Sequence, residues 1–387
     1  MNIRRIIFYL LLLLIILIPL IQWSIWQIKP SKPLNLLIID KTAAEQQRPE
    51  HRSFTWILIN KKYVKPNGSL YSIKDDYYGF FPGEGFDYEI RDFREFTYSQ
   101  LDSIADTLDM MYVADSYGVY YNDWYLRDNL TEHSKLIYGG LTEKEFYLMR
   151  EIYNERKLLI TEFNAIAHPT NYRVRKNVED MLGFTWTGWT GRYFHSLDSA
   201  TNPELPRWVI RLYQEQNEGN WPFKRSGIVF VHENSTINIL EDSTHLTWDI
   251  PMIITENDFC KEYGLPDETK YSFWFDIIVP DLNKNEIISK YRIDPNEEGL
   301  KLLRKHNLPY VFPAAIRDRY DQRSFYFAGD FCDNNIPSRL VKMAGINWYY
   351  KQFLDLEDIY NRQVFFWKYY HPMMTRILKD YEKEINP

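Results

Sequence analysis

The chain has 387 residues, with 46 Lys and Arg against 53 Asp and Glu, a formal charge of −7 at pH 7. That balance excludes a general nucleic-acid binder, which needs a surplus of Lys and Arg to displace counterions from phosphates. Cys260 and Cys332 are the only cysteines; without a C-x-x-C partner they exclude a structural zinc site, and they either pair in an oxidising compartment or sit as buried thiols.

The first element is apolar. Residues 6–21 carry no charge, Trp23, Ile25 and Trp26 extend the run, and Arg4 and Arg5 precede it. About 20 apolar residues cross a bilayer as a helix, so the run predicts one transmembrane helix. Small residues for signal cleavage are missing after it, and the two Trp suit the headgroup level. Residues 1–32 therefore read as an uncleaved single-pass anchor and linker. The amino terminus would be cytoplasmic and the bulk of the chain extracytoplasmic, in a bacterial envelope. Residues 33–387 hold all 53 acidic residues and 42 of the basic ones, a net of −11, and are long enough to bury a large core.

Residues 34–39 form a continuous apolar run with one polar break, ending at Asp40, which is how a buried parallel strand reads. A helix follows over 48–60, with Phe54, Ile57 and Leu58 on one side, then a Gly- and Pro-rich loop over 64–87. A second strand is expected at 88–93, a short helix at 98–105, and a third strand at 108–114, again followed by an acid, Asp115. After a long loop over 115–140, Thr142 and Glu145 make a capping box for the next helix. Residues 157–162 give a fourth strand ending at Glu162. Residues 173–182 give a helix stopped by Gly183. This alternation predicts an α/β fold with a doubly wound, mainly parallel sheet over 33–255.

The remaining residues change character. A hairpin is expected around Asn234-Ser235, and strands at 252–255, 272–279, 286–293, 310–316 and 324–331. A short helix fits 297–306, and a last helix fits 358–383, kinked or restarted at Pro372. Residues 256–387 thus read as a β-rich extension packed on the same body, since no Pro/Gly/Ser-rich linker separates the parts.

In an open parallel sheet, ligands bind beyond the carboxyl ends of the strands, where Asp40, Asp115 and Glu162 stand. Glu162, Asn164 and His168 follow the fourth strand directly. Trp186, Trp189 and Arg192 lie in the segment Phe184-Thr-Trp-Thr-Gly-Trp-Thr-Gly-Arg-Tyr-Phe194, read as a Gly-rich loop. Two Trp and an Arg at such spacing make either a sugar- or carboxylate-binding platform or a Trp-lined core turn. The run Asp330-Phe-Cys-Asp333-Asn-Asn335 is either a strand-end turn or a set of oxygen ligands for a divalent cation.

Residues 34–182 resemble a class I glutamine amidotransferase-like domain, in the broad sense that includes ThuA-like proteins. The strand 108–115 is similar to the family strand that leads to an oxyanion loop. Residues 157–164 are similar to the strand that leads into the nucleophile elbow, with Glu162 close to the elbow position. No Cys lies in 33–259 and no G-x-C-x-G occurs, so the resemblance implies the fold without the thiol reaction. The expected function is an envelope domain that binds a cell-envelope glycan or related ligand through Asn164, Trp186, Trp189 and Arg192. The alternatives are a hydrolase using Glu162 with Asp115 or His168, and a non-catalytic subunit docking envelope proteins. No cofactor or metal is called for, and nucleic acid is not a partner.

Overall fold

A computed structural model of the chain describes residues 3–127, 134–334, 336, 338–353 and 362–385. Its centre is a ten-stranded sheet. Five of its strands run parallel, in the spatial order Tyr78–Pro82, Leu36–Asp40, Met110–Asp115, Leu158–Glu162 and Ser324–Phe327. The three central ones are apolar up to their carboxyl ends and buried along their whole length, because helices cover both faces of a parallel sheet. The helices Pro49–Lys61, Tyr98–Thr107 and Glu143–Asn154 make the crossovers, and a fourth, Tyr172–Leu182, leads to Phe184–Phe194 outside this sheet. Thr142 and Glu145 form the capping box that starts the third of them, and Gly183, at φ +73, stops the fourth.

The sheet is mixed rather than mainly parallel. Among the described residues it has four parallel pairings and five antiparallel ones. The strands Leu246–Thr255, Glu268–Lys270, Asn285–Pro295 and Val311–Asp318 continue it beyond Ser324–Phe327. The doubly wound reading is thereby corrected. Helical crossovers, which parallel pairing demands, stop after Asn154. The second half returns through shorter connections, and its strands pair antiparallel until Ser324–Phe327 closes against Leu158–Glu162. The β-rich residues thus complete the same sheet.

A second, four-stranded antiparallel sheet runs Ile237–Glu241, Gly227–His232, Phe184–Phe194 and Trp274–Pro280. Phe184–Phe194 is an eleven-residue strand, not a loop. Its register shifts between Trp186 and Thr190, around Gly188 at φ +84. That bulge breaks the two-residue alternation by which a strand is read. Asp276 N–H donates to Ala328 O at 3.0 Å, tying the two sheets together.

The amino-terminal expectation is also corrected. Ile3–Ile28 is a single helix, yet among the described residues no helix is long and apolar enough to cross a membrane. The last turns of Ile3–Ile28 belong to the globular body. Trp26 is buried, its indole N–H donates to Asn60 O at 3.1 Å, and Ala344 N–H donates to Gln22 O at 3.1 Å.

The last described helix, His371–Ile385, follows directly on the π-helical turn Phe366–Tyr370, so Pro372 lies within a continuous helical run at the point where the π turn gives way to α-helix. Its expected beginning at 358 falls outside the described residues. Trp367 packs edge-on against Trp56, and Tyr381 OH donates to Asp109 O at 2.6 Å. The aromatic richness is largely core: Trp56, Trp124 and Trp367 are among the largest fully buried side chains.

Candidate functional site

The five parallel strands end on one rim, and three of them place carboxylates there. Asp40 closes Leu36–Asp40, Asp115 closes Met110–Asp115, and Asp330 lies just beyond Ser324–Phe327. The helix Pro49–Lys61 adds Glu50 and His51 from its first turn.

Asp40 is fully buried. Its Oδ2 lies 2.5 Å from His51 Nδ1, and its Oδ1 accepts from Thr42 N–H at 3.0 Å. His51 Nε2 lies 2.8 Å from Ile73 O; a carbonyl only accepts, so that nitrogen carries a proton. Asp115 Oδ1 accepts from Thr42 Oγ1 and from Tyr117 N–H, both at 2.6 Å. Its Oδ2 accepts from Asn164 Nδ2 at 3.3 Å. Burial, reinforced by Asp40, pushes the Asp115 carboxyl up to about 7 against the pull of these donors. Glu50 is raised well above its ordinary value by burial and by the charges of Asp40, Asp333 and Asp115. Asp330 is raised by burial and by Asp333. On the far flank, Arg362 Nη1 lies 3.2 Å from Asp333 Oδ2, and its guanidinium sits 3.4 Å above the Phe273 ring.

The elbow after Leu158–Glu162 is made by Asn164, at φ +66. Asn is one of the few non-glycine residues that tolerate this left-handed conformation. Its backbone N–H donates to the Asp276 carboxylate, which also accepts from Tyr326 OH at 2.8 Å and from Thr190 Oγ1 at 3.1 Å. Burial pushes Asp276 up to about 6. The residue at the sharp turn is thus an amide, held by one carboxylate through its backbone and bonded to another through its side chain.

Glu162 does not line a pocket. It is sealed in the core, where Oε1 accepts from Tyr112 OH. Oε2 accepts from the N–H groups of Phe331 and Cys332, at 3.1 and 3.0 Å. Tyr112 OH in turn lies 2.6 Å from Tyr370 OH. Glu162 therefore fastens the 331–332 turn and the final helical segment to the sheet. A strand alternates its faces, and its position two residues before the elbow gave no sign of which face the C-terminus would cover.

The other expected residues divide. His168 is exposed, with Nδ1 3.4 Å from Tyr120 OH, and makes no bond to Asp115. Trp186 and Trp189 are only 8% and 7% exposed and belong to the main core. Trp186 Nε1 donates to Trp189 O at 3.0 Å, and Trp189 packs edge-on against His232 and His306. They are the core turn, not a platform. Arg192 points the other way. It pairs with Glu204 at 2.9 Å, lies over Phe273 and Trp274, and feels the charges of Asp330 and Asp333.

Sequence reasoning left out Glu50, His51 and Arg362. The available signal for the first two was a helix opening Pro49-Glu50-His51 shortly after an Asp-terminated strand. Arg362 carried none, because it meets Asp333 only through the fold. The divalent-cation reading of the 330–335 run counts two Asn as ligands; among the described residues no group of three or more His, Cys, Asp or Glu could hold a metal ion. Asn335 lies outside the described residues.

Lys41 braces the rim. It is fully buried, with Nζ 2.8 Å from Gly140 O and 2.7 Å from Glu145 Oε2. Replacing one partner of a buried pair strands the other charge, at a cost of about 3–5 kcal/mol. Lys41→Met should lose that much stability in urea unfolding, and Lys41→Met/Glu145→Gln should lose clearly less. Additive losses in that double-mutant cycle would mean that the ion pair is not the brace.

No family model matches the chain, and no curated protein matches it. Among solved structures it is similar to a crystal structure described as a ThuA-like protein, from Bacteroides uniformis. The match covers 81% of this chain and 89% of that one, at 10% identity and a TM-score of 0.36. Likeness at that level leaves the chemistry to be argued from the residues themselves.

Proposed function

We propose that this chain is an amidotransferase-like body that has no thiol chemistry and binds a hydroxyl-rich ligand, a cell-envelope glycan, at the carboxyl ends of its parallel strands. The observation that carries the reading is Asn164 at the elbow, bonded to Asp115. An amide is neither a nucleophile nor an acid or base at neutral pH, but it donates and accepts hydrogen bonds. Carboxyls pushed toward neutral pH, as Asp115 is, do the same, which suits sugar hydroxyls. Tyr117 and Tyr120, with ring centroids 5.1 Å apart, continue the chain from Asp115. Phe273 and Trp274 lie on the Arg362 and Arg192 flank. Aromatic faces beside polar groups suit sugar rings.

The test is saturation-transfer NMR with a panel of envelope mono- and oligosaccharides. The parent protein should transfer saturation to sugar ring protons, and Asp115→Asn should weaken binding at least about tenfold, the worth of one charge-assisted hydrogen bond. If no saccharide in the panel binds, or if the parent protein releases ammonia from glutamine with saturable kinetics, the reading is wrong.

A second reading rests on the same carboxyl. An acid held near 7 is what general acid–base catalysis requires, so Asp115 would serve a glycan-cleaving hydrolase. In that case Asp115→Asn abolishes product formation while the sugar still binds.

A further inference from the structure

At the carboxyl end of the helix Ile3–Ile28 the charge balance of the chain is inverted. Lys62 Nζ donates to Gln27 O at 2.7 Å and to Lys29 O at 2.5 Å, and lies 5.2 Å from the Trp26 ring. Lys342 Nζ reaches the same ring at 5.7 Å. The loop that carries Lys342 is held there by Ala344 N–H on Gln22 O and by Asn60 Nδ2, which donates to Val341 O at 2.8 Å. Burial, then the charges of Lys29 and Lys32, push the Lys61 ammonium down to about 8. Lys32 is spent on Glu382 at 2.5 Å, but Lys29, Lys61, Lys62, Lys342 and Lys351 reach no carboxylate among the described residues. Solvated lysines are ordinary on a surface; these are singled out by exposed apolar groups beside them. Leu13, Leu17, Leu20 and Ile21 of the helix are exposed, and Trp23 is 45% exposed. Trp348 is 59% exposed, on the helix Ile346–Phe353 that follows the Lys342 loop. Lys351 stands three residues after Trp348, on the same helix face.

We propose that this end of the molecule docks on an anionic lipid surface, with the exposed leucines, Trp23 and Trp348 in the lipid and Lys29, Lys342 and Lys351 at its phosphates. Indole rings favour the headgroup level, and lysines next to it are drawn by the surface charge of anionic lipid. The contact asks for no helix that crosses the bilayer, only for side chains that enter its interface. It is independent of the glycan reading of the strand-end rim. An acidic protein partner would match the lysines but not the exposed leucines. A second copy docked through the same face would bring lysines against lysines.

The experiment floats the full chain with unilamellar vesicles of phosphatidylcholine, alone or mixed with phosphatidylglycerol. At about 0.05 M salt the mixed vesicles should bind at least about tenfold tighter. Lys29, Lys342 and Lys351 donate no side-chain hydrogen bond among the described residues, so replacing them spares the fold. Lys29→Gln/Lys342→Gln/Lys351→Gln should shrink the preference to within about twofold, while binding to phosphatidylcholine alone stays as it was. Equal binding of the parent protein to both vesicles, or a triple variant that keeps the preference, overturns the proposal. Binding to neither vesicle overturns it as well. Should the triple variant melt early, the parent protein at about 0.5 M salt makes the same comparison, because screening removes the lysine attraction. A preference that survives that salt overturns the lysine contact. A dimer that anionic vesicles fail to dissociate assigns the apolar face to a second copy and overturns lipid as its occupant.

Discussion

Asp115→Asn should be more stable than the parent protein at pH 8, and the advantage should fade toward pH 4. An Asp in an unfolded chain titrates near 4, whereas burial holds Asp115 at about 7 in the fold. Below pH 4 both states carry the proton and nothing is lost. Between 4 and 7 the unfolded chain releases its proton while the folded one keeps it, so stability falls as pH rises, and above 7 the loss is complete. For a fully buried group the loss is at most on the order of 4 kcal/mol. The amide is free of it. Its oxygen can keep the bonds from Thr42 and Tyr117, and Asn164 can turn its own amide oxygen toward the new NH₂. Asp276, held at about 6, still titrates in the variant, so part of the pH dependence remains. Urea unfolding at pH 5 and pH 8 measures the difference. An advantage equal at both values would show that Asp115 ionises freely in the folded protein. Strongly perturbed carboxyls are enriched at functional sites, where such strain is retained for ligand contact.

Glu162→Ala should lose about 3–6 kcal/mol, and Glu162→Gln less than about 1.5. The alanine leaves the N–H groups of Phe331 and Cys332 buried without an acceptor, each worth roughly 1–3 kcal/mol, and opens a cavity besides. Gln keeps a carbonyl oxygen for the two N–H groups, and Tyr112 OH retains Tyr370 OH. Ligand binding by Glu162→Gln should match the parent protein. Loss of binding or turnover in Glu162→Gln at unchanged stability would return Glu162 to the site and undo its assignment as a fastening residue.

Both predictions turn on facing, which is where the sequence ran out. Glu162 and Asp115 look alike as acids ending apolar strands, yet one is sealed and the other lies on the rim. The difference comes from Phe331 and Tyr370, about 170 and 210 residues downstream, which cover one face of the Leu158–Glu162 strand. Trp186 and Trp189 resembled a binding platform because Gly188 and Gly191 read as loop. In fact Gly188 makes a bulge and Gly191 lets Phe275 pack against the backbone. The apolar run of 6–21 was legible as a helix, but not that Trp26 would be spent on the globular body.

The sequence by itself determined what depends on neighbours along the chain. The central strands Leu36–Asp40, Met110–Asp115 and Leu158–Glu162, the capping box at Thr142 and Glu145, and the stop at Gly183 follow from local periodicity and capping chemistry. So does the presence of acids at the strand ends. Only the tertiary structure decided the direction in which the second-half strands pair, the closure of Ser324–Phe327 onto Leu158–Glu162, and the meetings of Asp115 with Asn164 and of Asp333 with Arg362. Those contacts join residues tens to hundreds of positions apart. They are selected by how whole faces bury against one another, a global free energy that no local pattern carries.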